Sequence, residues 1–233
     1  MFDKLIFDKA NEEKERAEFE KYKKLKGVYL HKQVYDILLE ANGGENVTYY
    51  ELSSIIRYDK NLRDTLYIYL ATIEEQLRVL LLDNFDLKPN TPKFNQRPST
   101  KTLCDALVLK QDFEASDLYF KLQTDFKVLM ETCVKMNVAS ITDDVLSYVK
   151  ALRNDVMHHH LLILGGAHNF KEARDNFVSF ERKINSLITL LPDEYTKGFL
   201  DDITNLNGKP YKQFLTKFYL EVDYGSEKIC VKR

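Results

Sequence analysis

The residues best suited to chemistry lie together between positions 153 and 160, where the chain reads Arg-Asn-Asp-Val-Met-His-His-His. An arginine can hold a phosphodiester through paired, charge-assisted hydrogen bonds. An imidazole that titrates near neutral pH can move the proton of a ribose 2′-hydroxyl or of a leaving 5′-oxygen. The segment therefore carries the groups that metal-independent RNA cleavage requires. The alternative is that the three histidines are solvated surface residues or a chance metal patch.

A helix is expected to present this segment. Thr142 followed by Asp143 and Asp144 is typical of a helix start, because carboxylates favour the positive end of the helix dipole. We expect the helix to run to Leu164 and to end at Gly165-Gly166. Its core-facing stripe is predicted to consist of Val145, Val149, Leu152 and Val156.

Helical geometry separates the two key side chains. Five positions on a continuous α-helix advance about 500°, so Arg153 and His158 would point about 140° apart, whereas Asn154 and His158 would share a face. Either the arginine side chain curls round the helix, or the same helix of a second subunit completes the site in a two-fold dimer. We expect His158 to face solvent or an interface and His160 to be a hydrogen-bonded structural residue, and His159 is ambiguous.

Other site chemistries have weaker support. Histidines at three successive positions are too close to bind one zinc ion together on a helix, and no His-Glu-x-x-His spacing is present. The chain also has no Gly-x-Ser-x-Gly elbow, Gly-rich phosphate loop or dinucleotide fingerprint. We therefore expect neither a metal nor another cofactor. A nucleotide-binding or metal-storing helical bundle is a weaker alternative.

The bulk composition indicates a helical globular protein. Of 233 residues, 44% are hydrophobic and 30% charged, and 8 glycines and 5 prolines are too few for the turns of an all-β protein. A net charge of −2 provides no overall basic surface, so an RNA site would need a local positive cleft. Three widely spaced cysteines indicate reduced thiols. With no recognisable signal peptide or membrane-spanning run, we expect a cytoplasmic protein without membrane contact.

Apolar periodicity predicts an all-α fold, an antiparallel helical bundle with extra N- and C-terminal helices. Residues 1–26 should form a charged helix or leader, in which residues 7–26 add little to the core. Residues 27–192 should form the bundle, and residues 193–233 a helical extension and tail. A proline-containing loop is expected at 86–101. The other predicted helices span 28–40, 50–56, 61–85, 103–113, 116–137, 170–191, 199–205 and 212–220.

Glu74 and Arg78 are four residues apart beside the apolar stripe of the helix predicted at 61–85. An exposed pair at this spacing stabilises a helix by a few tenths of a kcal/mol. The alternative is that the two side chains support the functional site.

Two parts of the chain together resemble a known family. Leu152 to His158 resembles the R-x(4–6)-H signature of HEPN domains. Ile56 to Arg63, followed by Leu70 to Arg78, resembles the Abi-like, abortive-infection branch of that superfamily. This branch pairs an Asp-x-x-Leu-Arg helix entry and an Ile-Glu-x-x-Leu-Arg segment with a later Arg-Asn-x-x-x-His-His. The likeness covers roughly residues 50 to 165.

The resemblance implies an all-α bundle that dimerises through the motif helices and cleaves RNA without a metal, in phage defence or as a toxin. RNA would be the substrate, and a toxin would have a neutralising antitoxin, a protein or an RNA. By position, Arg153 and His158 match the catalytic pair, and Asn154 matches the polar residue that orients the site. The residues expected to bind substrate or to support the catalytic pair are His159, Glu74 and Arg78.

The chain departs from the Abi-like pattern at two places. His160-Leu161-Leu162 stands where such sequences usually have x-Arg-Leu, so one basic residue near the site is missing. Asp155 adds a negative charge next to the arginine, which would weaken phosphate binding or hold Arg153 in place. The alternative function is a non-catalytic helical module for dimerisation or for binding a partner or RNA.

Overall fold

The computed structural model describes residues 1–83, 126–135 and 141–207. The predicted loop at 86–101, the predicted helices at 103–113 and 212–220, and Cys104 and Cys230 lie outside these residues. The elements are, in chain order, β1 (Leu5–Ile6), α1 (Glu12–Lys26), α2 (Val28–Ala41), β2 (Val47–Thr48), α3 (Tyr49–Asp83), α4 (Phe126–Lys135), α5 (Asp143–Met157), α6 (Phe170–Leu190) and α7 (Asp193–Asn207).

The described part of the chain is predominantly helical, as the composition predicted. None of the described helices is long and apolar enough to cross a membrane. The exception to the helices is a parallel pairing of β1 with β2, in which Leu5 lies opposite Val47 and Ile6 opposite Thr48. Strands of two residues are too short for an alternating pattern, so this sheet was not predicted.

A capping box starts α3. The Thr48 N–H donates to Glu51 Oε2 at 2.9 Å, and the Glu51 N–H donates to Thr48 Oγ1 at 3.1 Å. These reciprocal bonds satisfy two backbone donors that the first helical turn would otherwise leave unpaired. The helix therefore begins directly after β2.

The predicted break between helices at 50–56 and 61–85 was wrong, because α3 is continuous from Tyr49 to Asp83. The interval at 57–60 contains neither glycine nor proline. Two of its residues, Tyr58 and Asp59, are buried and continue the inward-facing stripe. A buried carboxylate at a core position masked the apolar period that would have revealed the continuous helix.

The N-terminal segment adds more to the core than predicted. Most of α1 is charged, but Phe19 is only 6% exposed. Its ring lies 5.1 Å from that of Phe2, 5.9 Å from that of His31 and 6.1 Å from that of Tyr49. A single aromatic residue thus anchors an otherwise solvated helix.

The motif helix ends earlier than predicted. α5 stops at Met157, not at Leu164, and His159 has a φ of 56°. Residues 161–164, which follow the three histidines, are all buried. Four successive buried residues cannot lie on one face of an α-helix, so the chain leaves the helix to bury them. Gly165-Gly166 turns the chain in the left-handed region but does not cap α5.

The helix predicted at 170–191 is confirmed by α6, whereas α7 is longer than the predicted 199–205. Pro192 precedes Asp193 and Glu194, and acidic residues in the first turn favour that earlier start.

The chain forms two compact units. The first unit consists of Met1–Leu66, Asp155–Arg182 and the described part of Lys197–Arg233, and the second of the described part of Tyr67–Asn154 together with Lys183–Thr196. Each has its own buried core, and the second unit contains the buried Cys133, which forms no disulfide within the described residues. The domain boundaries predicted after residues 26 and 192 stay predictions.

Candidate functional site

Arg153 belongs to the second unit and is half-buried on α5. Its guanidinium carbon lies 5.7 Å from the centroid of the Phe126 ring on α4. This distance permits a cation–π interaction that orients the planar guanidinium. The Nε–H is buried and donates to no acceptor among the described residues. Phe126 therefore orients Arg153, one of whose donors has no acceptor in the described part of the chain.

Glu74 and Arg78 form an ion pair in the same unit, with 3.3 Å between Glu74 Oε1 and Arg78 Nη2. Their side chains are only 20% and 13% exposed, so this pair differs from a solvated surface pair. Burial raises the pKa of Glu74, and the positive charges of Arg78 and Arg153 oppose that rise. Glu74 is thus within electrostatic reach of both arginines.

We call Glu74, Arg78, Arg153 and Phe126 the arginine cluster. It combines two positive charges with one negative charge, and the Nε–H of Arg78 is buried without an acceptor among the described residues, like that of Arg153. A buried donor without an acceptor is costly. An anionic ligand, with several acceptor oxygens, would relieve that cost. Sequence spacing had paired Glu74 with Arg78, and the expectation that these two side chains support the catalytic pair stays a prediction.

The histidines lie on a turn in the first unit that follows α5, and we call residues 158–160 the histidine turn. His158 is exposed, as expected for a residue that exchanges protons with a substrate. Its ring centroid is 5.9 Å from that of His160. Since α5 ends at Met157, the 140° separation calculated for a continuous helix does not apply to His158. Asn154, the third predicted catalytic residue, is exposed on α5.

His160 is hydrogen-bonded, as expected, but it is not packed against the core stripe. Its Nδ1 lies 3.1 Å from Asp155 Oδ1, and its side chain is 60% exposed. Its backbone N–H also donates to the Asp155 carbonyl oxygen at 3.0 Å. Asp155, expected to affect the arginine, thus has an identified partner in His160. The ambiguous His159 is exposed.

The sequence analysis did not predict the ion pair and the backbone hydrogen bonds that position the histidine turn. Asp59 on α3 is fully buried, and its Oδ1 accepts the backbone N–H groups of Leu162 at 2.6 Å and Ile163 at 3.2 Å. Its Oδ2 pairs with Arg63, one helical turn later. Arg63 Nη1 in turn donates to the backbone carbonyl of His160 at 2.8 Å. We call this pair the Asp59–Arg63 clamp.

The clamp places an ionisable group where water does not reach. Burial raises the pKa of Asp59 to about 6, although the Arg63 charge and the two backbone N–H groups favour the carboxylate. The spacing of Asp59 and Arg63 could have indicated an ion pair, as it did for Glu74 and Arg78. It could not indicate the partners about a hundred residues further along the chain.

The second unit therefore contains the arginine cluster, with two buried Nε–H groups that have no acceptor in the described ranges, and the first unit contains the exposed imidazoles of the histidine turn. No group of three or more His, Cys, Asp or Glu side chains within the described residues is arranged to hold a metal ion. No protein-family model, curated protein or solved structure matches the chain. The resemblance to HEPN domains thus depends on the sequence motifs alone.

Proposed function

We propose that the protein is a metal-independent endoribonuclease of the HEPN type, in which Arg153 binds the scissile phosphate and His158 transfers protons. The observation that carries the proposal is the half-buried Arg153, which is oriented by Phe126 and has a buried Nε–H without an acceptor in the part of the chain that the structure describes. The motif supplies an exposed imidazole five residues later in the sequence. A phosphodiester matches the charge and the fork geometry of that arginine.

The proposed reaction is attack of the ribose 2′-hydroxyl on the adjacent phosphorus, with departure of the 5′-oxygen. The products are a 2′,3′-cyclic phosphate and a free 5′-hydroxyl. One imidazole removes the proton from the 2′-hydroxyl, and a protonated imidazole donates one to the 5′-oxygen. Arg153 stabilises the negative charge that develops on the phosphorus oxygens. Asn154 positions the phosphate or the imidazole.

A homodimer through the motif helix would supply both protonation states of His158 from two copies of the turn. It would also bring two arginine clusters to one RNA molecule, which provides the local positive charge that a net charge of −2 does not. Within each cluster, Glu74 would orient Arg78 and Arg153. The biological setting proposed is phage defence or a toxin system with a neutralising antitoxin.

Cleavage of RNA in EDTA tests the proposal. The wild type is compared with Arg153→Ala and His158→Ala, and the matched controls are Lys150→Ala on the same helix and His168→Ala, another exposed histidine. We expect each test variant to lose activity by roughly 100-fold or more, which is the size of one general acid–base or oxyanion contribution. The controls should retain activity. Circular dichroism and sedimentation check folding and assembly.

Two results would overturn the proposal. Wild-type cleavage that disappears with the chelator would replace it with a metal-dependent mechanism. RNA binding without cleavage, unchanged in His158→Ala, would instead establish the non-catalytic binding module. End-group analysis adds a third check, because a 3′-hydroxyl product is incompatible with attack by the 2′-hydroxyl.

A further inference from the structure

A cavity of about 340 Å³ lies in the first unit and shares no lining residue with the arginine cluster. Its volume falls within the range of small-molecule sites in proteins. The residues that line it come from α1, α2, the first turns of α3 and the segment after the histidine turn. Its aliphatic wall is formed by Leu30, Leu52, Ile56 and Leu161.

Among the described residues, four cationic side chains and no carboxylate line the cavity. Arg57 lies 3.6 Å from Glu18, Lys60 pairs with Asp64, and Arg63 belongs to the clamp. Lys26, the fourth, makes no ion pair among the described residues. The lining therefore has an excess of positive charge, with Lys26 and the loosely paired Arg57 best able to meet a new anion.

Two buried polar rings complete the lining without adding charge. The Nδ1 of His31 is bonded to the Gly27 carbonyl oxygen at 2.9 Å, and burial lowers the pKa of His31, so the ring is neutral at pH 7. Burial raises the pKa of Tyr49 to about 12, so its hydroxyl stays protonated and can donate a hydrogen bond. His31 is thus part of the cavity wall.

We propose that this cavity binds an amphiphilic organic anion, with one anionic head at Lys26 and Arg57 and an aliphatic or aromatic body against Leu30, Leu52 and Ile56. A neutral apolar molecule would leave the cations unused. A polynucleotide would place its many charges against an aliphatic wall. An anion on an apolar body matches both features of the lining.

The cavity is connected to the histidine turn through two of its residues. Arg63 lines the cavity and also donates to the His160 carbonyl oxygen, and Leu161 lines it directly after the turn. A negative charge elsewhere in the cavity would also attract the Arg63 guanidinium. We therefore expect occupancy of the cavity to change the environment of the histidines. An effect on RNA cleavage depends on the proposed function, whereas binding itself does not.

Fluorescence of 1-anilinonaphthalene-8-sulfonate, an aromatic body with one sulfonate, measures binding to the full chain. Octanoate and 1-octanol then compete as an anionic and a neutral ligand of the same chain length. The test variants are Lys26→Gln/Arg57→Gln, which removes the two available cations, and Ile56→Trp, which fills the cavity. The matched control is Lys171→Gln/Lys197→Gln, two exposed lysines of the same unit that do not line the cavity.

We expect saturable binding that octanoate displaces at a concentration roughly tenfold lower than 1-octanol does, the difference of about 1.4 kcal/mol that one charge-assisted contact supplies. The double glutamine variant should bind about tenfold more weakly, Ile56→Trp should not bind, and the control should match the wild type. Equal displacement by the two competitors, or unchanged binding by the double glutamine variant, overturns the proposal. Because that variant changes exposed and half-exposed residues, it stays informative if Ile56→Trp fails to fold.

Histidine ring resonances locate the ligand and test the connection to the turn. Octanoate should shift the signals of His31 and of the histidine turn and leave that of His168 unchanged. If the His31 signal does not move while octanoate is bound, the assignment of the ligand to this cavity is wrong. If the wild type does not bind octanoate, only the proposed ligand site is overturned. If the wild type does not cleave RNA, only the ribonuclease proposal is overturned.

Discussion

Two arginines near the motif differ in how their hydrogen bonds are used. Arg63 of the clamp pairs with the buried Asp59 and donates to the backbone carbonyl of His160. Arg153 of the arginine cluster is half-buried over a ring and has a buried Nε–H without an acceptor among the described residues. An arginine whose donors are satisfied within the fold stabilises the fold. One with an unsatisfied buried donor is suited to bind an anion from outside.

Among the substitutions that test this comparison, Asp59→Ala should have the largest effect on the free energy of unfolding. It removes the buried partner of Arg63 and leaves the N–H groups of Leu162 and Ile163 without their acceptor. Breaking a buried ion pair from one side costs about 3–5 kcal/mol, so the free energy of unfolding should fall by that amount in urea denaturation at pH 7. The control Asp64→Ala breaks the exposed pair with Lys60 and should cost about 0–1 kcal/mol. Equal losses would mean that the clamp is not structural.

The pH dependence of stability isolates the Asp59 carboxyl group. Its pKa of about 6 in the folded protein is higher than the 3.8 of an unperturbed Asp, so the folded state binds this proton more tightly than the unfolded state does. The stabilisation is fully present below pH 4 and is lost as the pH rises through 6. The free energy of unfolding of the wild type should fall by about 2–3 kcal/mol relative to Asp59→Asn between pH 4 and pH 7. A constant difference between the two proteins would contradict the raised pKa.

Arg153→Lys tests the comparison of the two arginines through RNA cleavage. Lysine keeps the positive charge but loses the planar fork that meets two phosphate oxygens. We expect RNA cleavage to fall by roughly 100-fold, about 2.7 kcal/mol of transition-state stabilisation, while the free energy of unfolding changes by less than about 1 kcal/mol. Arg63→Lys should do the reverse, with a larger loss of stability than Arg153→Lys. If both variants lose the same free energy of unfolding, Arg63 and Arg153 do not differ in their contribution to the stability of the fold.

The smallest effect is expected from Asp155→Asn. The Asp155–His160 contact is exposed on the histidine side, so its loss should lower the free energy of unfolding by less than about 1 kcal/mol. If the clamp holds the turn, chemical shifts of His158 should change little in this variant and much more in Asp59→Ala. The opposite ranking would assign the control of the turn to Asp155.

Local sequence patterns were sufficient to predict that several helices exist, but they did not predict where all of these helices begin and end. Apolar spacing predicted α2 and α6 nearly to their limits, because glycines or a proline lie next to those periodic segments. The same method divided α3 in two, since Asp59 interrupts the apolar stripe without interrupting the helix. It extended α5 too far, because the burial of residues 161–164 depends on surfaces that are distant in sequence.

The sequence by itself determined the helical class of the described residues and brought Arg153, Asn154 and the histidines to neighbouring positions. Only the tertiary structure decided which charged side chains have hydrogen-bond or ion-pair partners in distant segments. The clamp joins Asp59 to Leu162 and Ile163, and the arginine cluster joins Glu74 to Arg153. Local spacing specifies helices because a helix bonds residues four apart. Contacts between distant segments depend on which side chains the folded core excludes from water, and that cannot be obtained from local spacing.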